Sequence, residues 1–397
     1  MIQRKSEIGA IQAVGENRLK PITMLDLKSE FSLFEDRVRT AIDEVLDSQH
    51  FIGGSHVGAL EQEFAKQFDV KHAIAIGSGT DAILVALMAC EISAGDEVIT
   101  TPFTFFATAG CVHRTGAKPV FVDIEPDTFN LDPAKIQAAI TSKTKAIIPV
   151  HLFGQCANMD AIHDIAKSAG LRVIEDAAQA VGATYKNRFA GALGDAGCFS
   201  FYPTKNLGGF GEGGMVTTND DALADRVRQL RNHGQTDQYH HQFIGGNFRL
   251  NTMQAAILSA KLPQLDSFNT RRRAIAKLYD ELLTDAPSVQ TPRIAEECES
   301  CYHQYSILTD DRDNLRQHLT DASIGSGIYY PIPLHLQPCF QYLDYSEGDF
   351  PVSEATAKRI LSLPVHPMLD DADVRRVAGC IVQHQSETIP AEATGRS

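Results

Sequence analysis

The chain has 397 residues, with 36 Lys+Arg against 50 Asp+Glu and a formal charge of −14. Hydrophobic residues make up 43% and charged residues 22%, ordinary values for a globular protein large enough to bury a substantial core. The acidic balance argues against gripping nucleic acid or anionic membrane. No run approaches the roughly 20 apolar residues of a membrane span, and eight cysteines are too sparse for a disulfide scaffold, which leaves a cytoplasmic α/β enzyme as the leading class.

In chain order, residues 1–20 are mixed and polar with no apolar h-region, and read as a loose arm rather than a signal peptide. Phe34, Val38, Ile42 and Val45 recur every three or four residues, which predicts an amphipathic helix from Glu30 to Ser48; Leu60, Phe64 and Phe68 repeat the pattern. Between Lys71 and Asp220 short apolar runs (HAIAI, EVIT, PVFVDI, KAIIPV, LRVIEDA, GCFSFY, GMVTT) are separated by amphipathic stretches such as Met159, Ile162, Ile165, Ala166 and Ala169. Strand and helix in repetition predict an α/β fold, a mainly parallel sheet covered by helices on both faces. Such sheets bind ligands beyond the carboxyl ends of their strands. Residues 21–264 are expected to form this large domain and 265–388 a smaller α+β domain, with residues 389–397 as a tail.

Three places just after apolar runs carry candidate chemistry. Gly77-Ser78-Gly79-Thr80 precedes a helical run, so its backbone N–H groups offer a phosphate seat; the competing reading is a tight turn capped by Thr80 with no ligand. Asp176 ends LRVIED, where a buried acid needs a positive partner such as a protonated ring nitrogen; otherwise it caps a helix. Lys205 lies in SFYPTKNLGG before a glycine-rich turn, where apolar surroundings lower an amine's pKa and suit a Schiff-base nucleophile; otherwise it is a solvated surface lysine. Together they match the three handles of pyridoxal 5'-phosphate: phosphate, ring nitrogen and aldehyde carbon.

With these residues on the page, the sequence resembles the DegT/DnrJ/EryC1/StrS family of sugar aminotransferases, pyridoxal-phosphate enzymes of fold type I. The resemblance covers about residues 21–370. It rests on FIGG (Phe51–Gly54), GSGTDA (Gly77–Ala82), PFTFFATA (Pro102–Ala109), PVHLFGQCANMD (Pro149–Asp160), EDAAQA (Glu175–Ala180), GDAGCFSFYPTKNLGGFGEGG (Gly194–Gly214), GGNFRL (Gly245–Leu250), QAAIL (Gln254–Leu258) and YYPIPLH (Tyr329–His335). It implies that Lys205 is the covalent cofactor lysine and proton carrier, and that Asp176 partners the pyridinium nitrogen. Gln179 is implied near the ring's phenolic oxygen and Phe105 stacked on the ring. Gly79, Thr80 and Ser200 are implied as phosphate ligands, with Asn247 supplied by the neighbouring subunit of a homodimer. Arg249 and His335 are implied in substrate recognition.

The implied reaction moves an amino group from L-glutamate to a ketosugar linked to dTDP or UDP, at carbon 3 or 4, with GGNFRL suggesting carbon 3. A lysine at position 205 favours this over sugar dehydratases or deoxygenases of the same family, which carry histidine there, and over a non-catalytic cofactor-binding regulator. Cys298, Cys301 and His303 do not assemble a metal set by spacing. His240-His241 reads as a loop near a subunit boundary, Arg271–Arg273 as a solvated helix face, and His151 either as a cofactor contact or as a core histidine.

Overall fold

Each apolar run between His72 and Thr218 contributes a strand to one sheet, and the period of two along each strand decides which helical layer it touches. The computed structural model describes residues 20–388; the expected arm and tail lie outside the described residues, apart from Lys20. The strands are β1 (His72–Ile76), β2 (Glu97–Thr100), β3 (Lys118–Phe121), β4 (Thr144–Ile147), β5 (Arg172–Asp176), β6 (Ala196–Ser200) and β7 (Gly214–Thr218). Their spatial order is β1-β7-β6-β5-β4-β2-β3. Six run the same way and β7 alone runs against its neighbours β1 and β6.

Alternate residues part to opposite faces, as the pleat requires. Ala73, Ala75, Ile99, Val173 and Met215 join a cluster with Phe64 of α3 (Ser55–Gln67) and Ile162 of α7 (Met159–Ala169). Their neighbours Ile74, Ile76, Val98, Ile174 and Val216 face α4 (Gly79–Ala89), α5 (Ala107–Arg114) and α8 (Asp221–Arg231). The short α6 (Pro133–Ala139) completes the layered part.

The expected helix from Glu30 to Ser48 is two helices, α1 (Leu27–Ser32) and α2 (Glu35–Ser48). Between them Phe34 leaves helical geometry (φ −140°, ψ 15°) and is buried with Val38, Ile257 and Phe268. Continuing the chain, α9 (Thr252–Lys261) leads into α10 (Leu265–Leu282). A second, antiparallel sheet follows: β8 (Val289–Gln290), β9 (Tyr305–Thr309) and β10 (Ile360–Leu363), with β9 central. It shares its own apolar cluster with α10, α11 (Arg312–Asp321) and α13 (Asp371–Thr388). Just beyond β3, Asp123 accepts the N–H groups of Val352 and Ser353 at 3.0 and 2.9 Å, holding the start of α12 (Pro351–Arg359) against the large sheet.

The arginine run is a correction to the solvated face. Arg272 is 2% exposed and donates to the carbonyls of Tyr302 and Val365 at 3.1 and 3.0 Å. Arg271 and Arg273 pair with Asp371 and Glu299. Composition gives the charge of such a run, but not which turn of α10 faces the second sheet.

Glu175 and Asp176 end β5 on opposite faces. Glu175 is fully buried; its carboxylate accepts from the Gly191, Leu193 and Gly194 amides at 2.6 to 2.8 Å and from His151 Nε2 at 2.8 Å. His151 Nδ1 accepts from the Ala157 amide, so the ring is a core histidine spanning two elements, and the cofactor-contact reading falls away. Glu175→Leu strands three buried amides and the imidazole N–H, a cost of about 3 kcal/mol or more. Thermal unfolding is expected to show a Tm several degrees lower; an unchanged Tm contradicts this account of the loop preceding β6.

Candidate active site

Four strand ends deliver the candidate residues to one place. After β1, the Gly77 amide bonds to Phe248 O at 2.8 Å, turning the chain into α4. Ser78 is the N-cap; its Oγ accepts from the Asp81 amide at 3.0 Å. The capping residue is thus Ser78, which leaves the Thr80 side chain free to line the cavity. The amides of Gly79 and Thr80, in the first turn, have no acceptor within their own helix. Gly79 sits against the end of β6, and a Cβ there would lie 2.5 Å from Ser200 Cβ, closer than atoms pack. Ser200 Oγ accepts from the Tyr202 amide at 3.3 Å, so its hydroxyl hydrogen remains to donate.

At the end of β5, Asp176 is no helix cap, for no helix follows it. The carboxylate is 5% exposed. It accepts from the Thr108 hydroxyl at 2.7 Å and the Ala178 amide at 3.2 Å. Loss of hydration outweighs these two bonds and the charges of Lys205 and His151, so the pKa is raised. A carboxylate buried on these terms lacks a cation in direct contact.

Lys205 follows β6 in a loop closed by bonds from its own amide to Tyr202 O and from Gly209 N to Phe201 O, both 2.8 Å. Gln254 Oε1 accepts from the Phe210 amide at 2.8 Å, and the buried Lys261 ammonium donates to Gly208 O at 2.6 Å. Burial lowers the Lys205 pKa to about 8, against the opposing charge of Asp176. Gln179 accepts from the Phe153 amide at 2.9 Å and donates one Nε2 hydrogen to Tyr330 Oη at 3.0 Å, keeping a second hydrogen. Phe105 is 56% exposed, its ring 6.3 Å from that of Tyr330.

A cavity of about 570 Å³ gathers Gly79, Thr80, Phe105, Asp176, Gln179, Ser200 and Lys205 in its walls. Three expected residues are not there. Asn247 is exposed and bridges Asn232, Arg249 donates to the Asn232 side chain, and neither lines the cavity. His335 is 1% exposed; its Nε2 meets Glu354 at 3.0 Å and its ring packs on Phe350. Glu354 also accepts the amides of Gly348 and Phe350, so within this chain His335 serves a buried carboxylate rather than the cavity.

The sequence reading missed His303, Tyr330 and Glu212, all in the cavity wall. Tyr330 was visible in YYPIPLH and His303 in YHQYSI, but long-range folding, not spacing, brings them in. Cys298 and Cys301 donate to the carbonyls of Cys156 and Gln179. Among the described residues no group of three or more His, Cys, Asp or Glu is placed to hold a metal. His240 and His241 stand exposed in a two-stranded hairpin.

A sequence model of the DegT/DnrJ/EryC1/StrS aminotransferase family matches residues 34–382. A Geobacillus stearothermophilus protein named pleiotropic regulatory protein is 50% identical over 91% of this chain and 98% of its own. A UDP-N-acetyl-3-dehydro-alpha-D-glucosamine 3-aminotransferase from Acidithiobacillus ferrooxidans is 45% identical, covering 91% and 97%. Among solved structures, S. venezuelae DesV in complex with a ketimine intermediate superposes with a TM-score of 0.91 at 40% identity, covering 92% of this chain and 99% of that one.

The lowered amine pKa has a direct readout. In full-length protein freed of any cofactor, acetylation of Lys205 by acetic anhydride, followed by peptide mass spectrometry, is expected to half-titrate near pH 8. A midpoint near that of an ordinary lysine contradicts the burial argument.

Proposed function

The chain belongs to the DegT/DnrJ/EryC1/StrS aminotransferase family, and we propose that it transfers the amino group of L-glutamate to carbon 3 of a nucleotide-linked ketosugar, releasing 2-oxoglutarate. Its cofactor is pyridoxal 5'-phosphate. The observation that carries the reading is one cavity holding a cradle for an anion, a buried carboxylate in need of a cation, and a buried amine of lowered pKa.

The cavity fits the cofactor on its own geometry. Gly79 leaves a space that a Cβ would fill, bordered by amides at the positive end of α4 and by hydroxyls of Thr80 and Ser200, a donor set suited to phosphate. Asp176 supplies the charge that a protonated ring nitrogen answers. Bound there, pyridoxal phosphate supplies an electron sink beside the substrate's reacting carbon and a carrier for the amino group.

In this reading Gly79, Thr80 and Ser200 hold the phosphate, and Asp176 holds a proton on the ring nitrogen. Phe105 offers an aromatic face, which fixes the ring plane and leaves specificity to polar groups. Gln179 directs its second Nε2 hydrogen at the ring oxygen. Lys205 Nζ binds the carbonyl carbon, and once released it takes and returns the proton of the substrate carbon. At a pKa of about 8 the amine is close to the poise a proton carrier needs near neutral pH.

Lys205 is the one Lys or Arg in the cavity wall, which also carries Asp176 and Glu212. A nucleoside diphosphate brings two further negative groups. The reading therefore takes the active unit to be a homodimer, with Asn247 and Arg249 of one subunit completing the other's site. Exposed Tyr239 and Ile244 (83% and 93%), on the segment leading to Asn247, support a second copy there. The Acidithiobacillus relative's name specifies the 3-position and favours carbon 3. No helix among the described residues is long and apolar enough to cross a membrane, and all eight cysteines are free thiols, which supports a cytoplasmic setting.

The deciding experiment incubates the holoenzyme with L-glutamate and a panel of dTDP- and UDP-linked 3- and 4-ketosugars, reading the product by mass and NMR. A 3-amino sugar nucleotide with stoichiometric 2-oxoglutarate is expected; a deoxygenated product without nitrogen overturns the reading.

Asp176→Asn separates stability from function. The folded carboxyl has a raised pKa, so its ionised form costs folding stability at every pH above the unfolded value near 3.8. An asparagine keeps hydrogen bonds to Thr108 and Ala178 without the charge. The variant, without cofactor, is expected to melt about 2 °C or more higher, while kcat of the loaded enzyme falls by about 10²-fold or more. A lower Tm with unchanged kcat contradicts this role.

A further inference from the structure

We propose that His303 is a positioning residue for Lys205: its Nε2 accepts a hydrogen bond from the Lys205 amine and so directs the amine's lone pair. The inference rests on the reading that Lys205 is the reactive amine.

A chain of side-chain amides sets the tautomer of His303. Asn269 Nδ2 donates to Val181 O at 3.0 Å, which leaves Asn269 Oδ1 to accept Asn206 Nδ2 at 2.8 Å. The same Asn206 nitrogen donates to Cys301 O at 2.9 Å, so both its hydrogens are placed. Asn206 Oδ1 then faces His303 Nδ1 at 3.2 Å. An amide oxygen only accepts, so Nδ1 carries the hydrogen. A neutral imidazole in that tautomer presents Nε2 as a bare acceptor.

Nε2 has no protein partner among the described residues, while the ring borders the same cavity as Lys205. A doubly protonated ring is disfavoured here. Burial, then the positive charges of Lys205 and Arg272, push the His303 pKa well down. Arg272 belongs to α10 and is itself buried. The acids of the cavity, Asp176 and Glu212, come from other elements, and the Cys301 thiol is held protonated by burial.

The anchor makes this more than proximity. Asn206 is the next residue after Lys205, so the loop that carries the amine also grips the imidazole. A neutral amine has two hydrogens and one lone pair. Holding one hydrogen on Nε2 limits rotation about the last side-chain bond and aims the pair. The same acceptor stabilises the ammonium form, so deleting it lowers the Lys205 pKa.

The test is the pH dependence of Lys205 acetylation in full-length, cofactor-free protein, with His303→Leu and His303→Gln. The leucine variant is expected to move the Lys205 midpoint down by about one pH unit. Glutamine supplies a donor toward Asn206 and an acceptor toward the cavity, and is expected to keep the midpoint close to that of the wild type. A folded leucine variant with an unchanged or raised midpoint overturns the proposal. If it does not fold, ¹⁵N NMR of histidine-labelled wild type decides. Nδ1–H with bare Nε2 through neutral pH supports the proposal, and Nε2–H overturns it. These titrations read His303 and Lys205 directly, so they stand apart from whether any ketosugar is aminated.

Discussion

An ionisable carboxyl at the end of a central strand, cut off from water and given only a hydroxyl and one amide, is the constraint around which this molecule is arranged. Asp176 is buried at the carboxyl end of β5. Two hydrogen bonds to a charged group offer about 1.5–3 kcal/mol each, while the effective penalty for burying an ion is several kcal/mol. The raised pKa shows that burial wins. A folded chain keeps such a group where a cationic ligand repays the cost.

The surroundings keep that group and its companions fixed. Glu175, one residue earlier and facing the other way, ties the loop before β6 to β5 through three amides and His151. That loop leads directly into the strand ending at Ser200. On the far side the Lys205 loop is held by a buried ammonium, Lys261, at Gly208 O and by Glu30 at 3.2 Å. Asn206, Asn269 and His303 link the same loop to α10 and to the segment entering β9. The reactive amine is thus positioned by groups from both sheets' neighbourhoods, which suits a site whose geometry must hold while substrates exchange.

Much of this was legible in the residues, for physical reasons that differ by position. The seven strands of the large sheet showed because both of their faces are buried, which writes continuous apolar runs. Gly79, Asp176 and Lys205 were visible because each follows such a run, where open sheets place their ligands. Ser78 rather than Thr80 as the cap was a local competition between two hydroxyls one residue apart, decided by the turn at Gly77. The break at Phe34, the burial of Arg272 and the arrival of His303 depend on contacts between segments far apart in sequence, and no periodicity records those. His335 illustrates the reverse: a residue at a position the family resemblance associates with substrate is, within this chain, engaged by Glu354.

The central claim is that the amine of residue 205 is the point of covalent attachment. Holoenzyme reduced with borohydride, digested and mapped by mass spectrometry is predicted to carry a phosphopyridoxyl group on Lys205 and on no other lysine. A fully loaded, folded protein whose adduct lies on another side chain, or that yields none, contradicts the account.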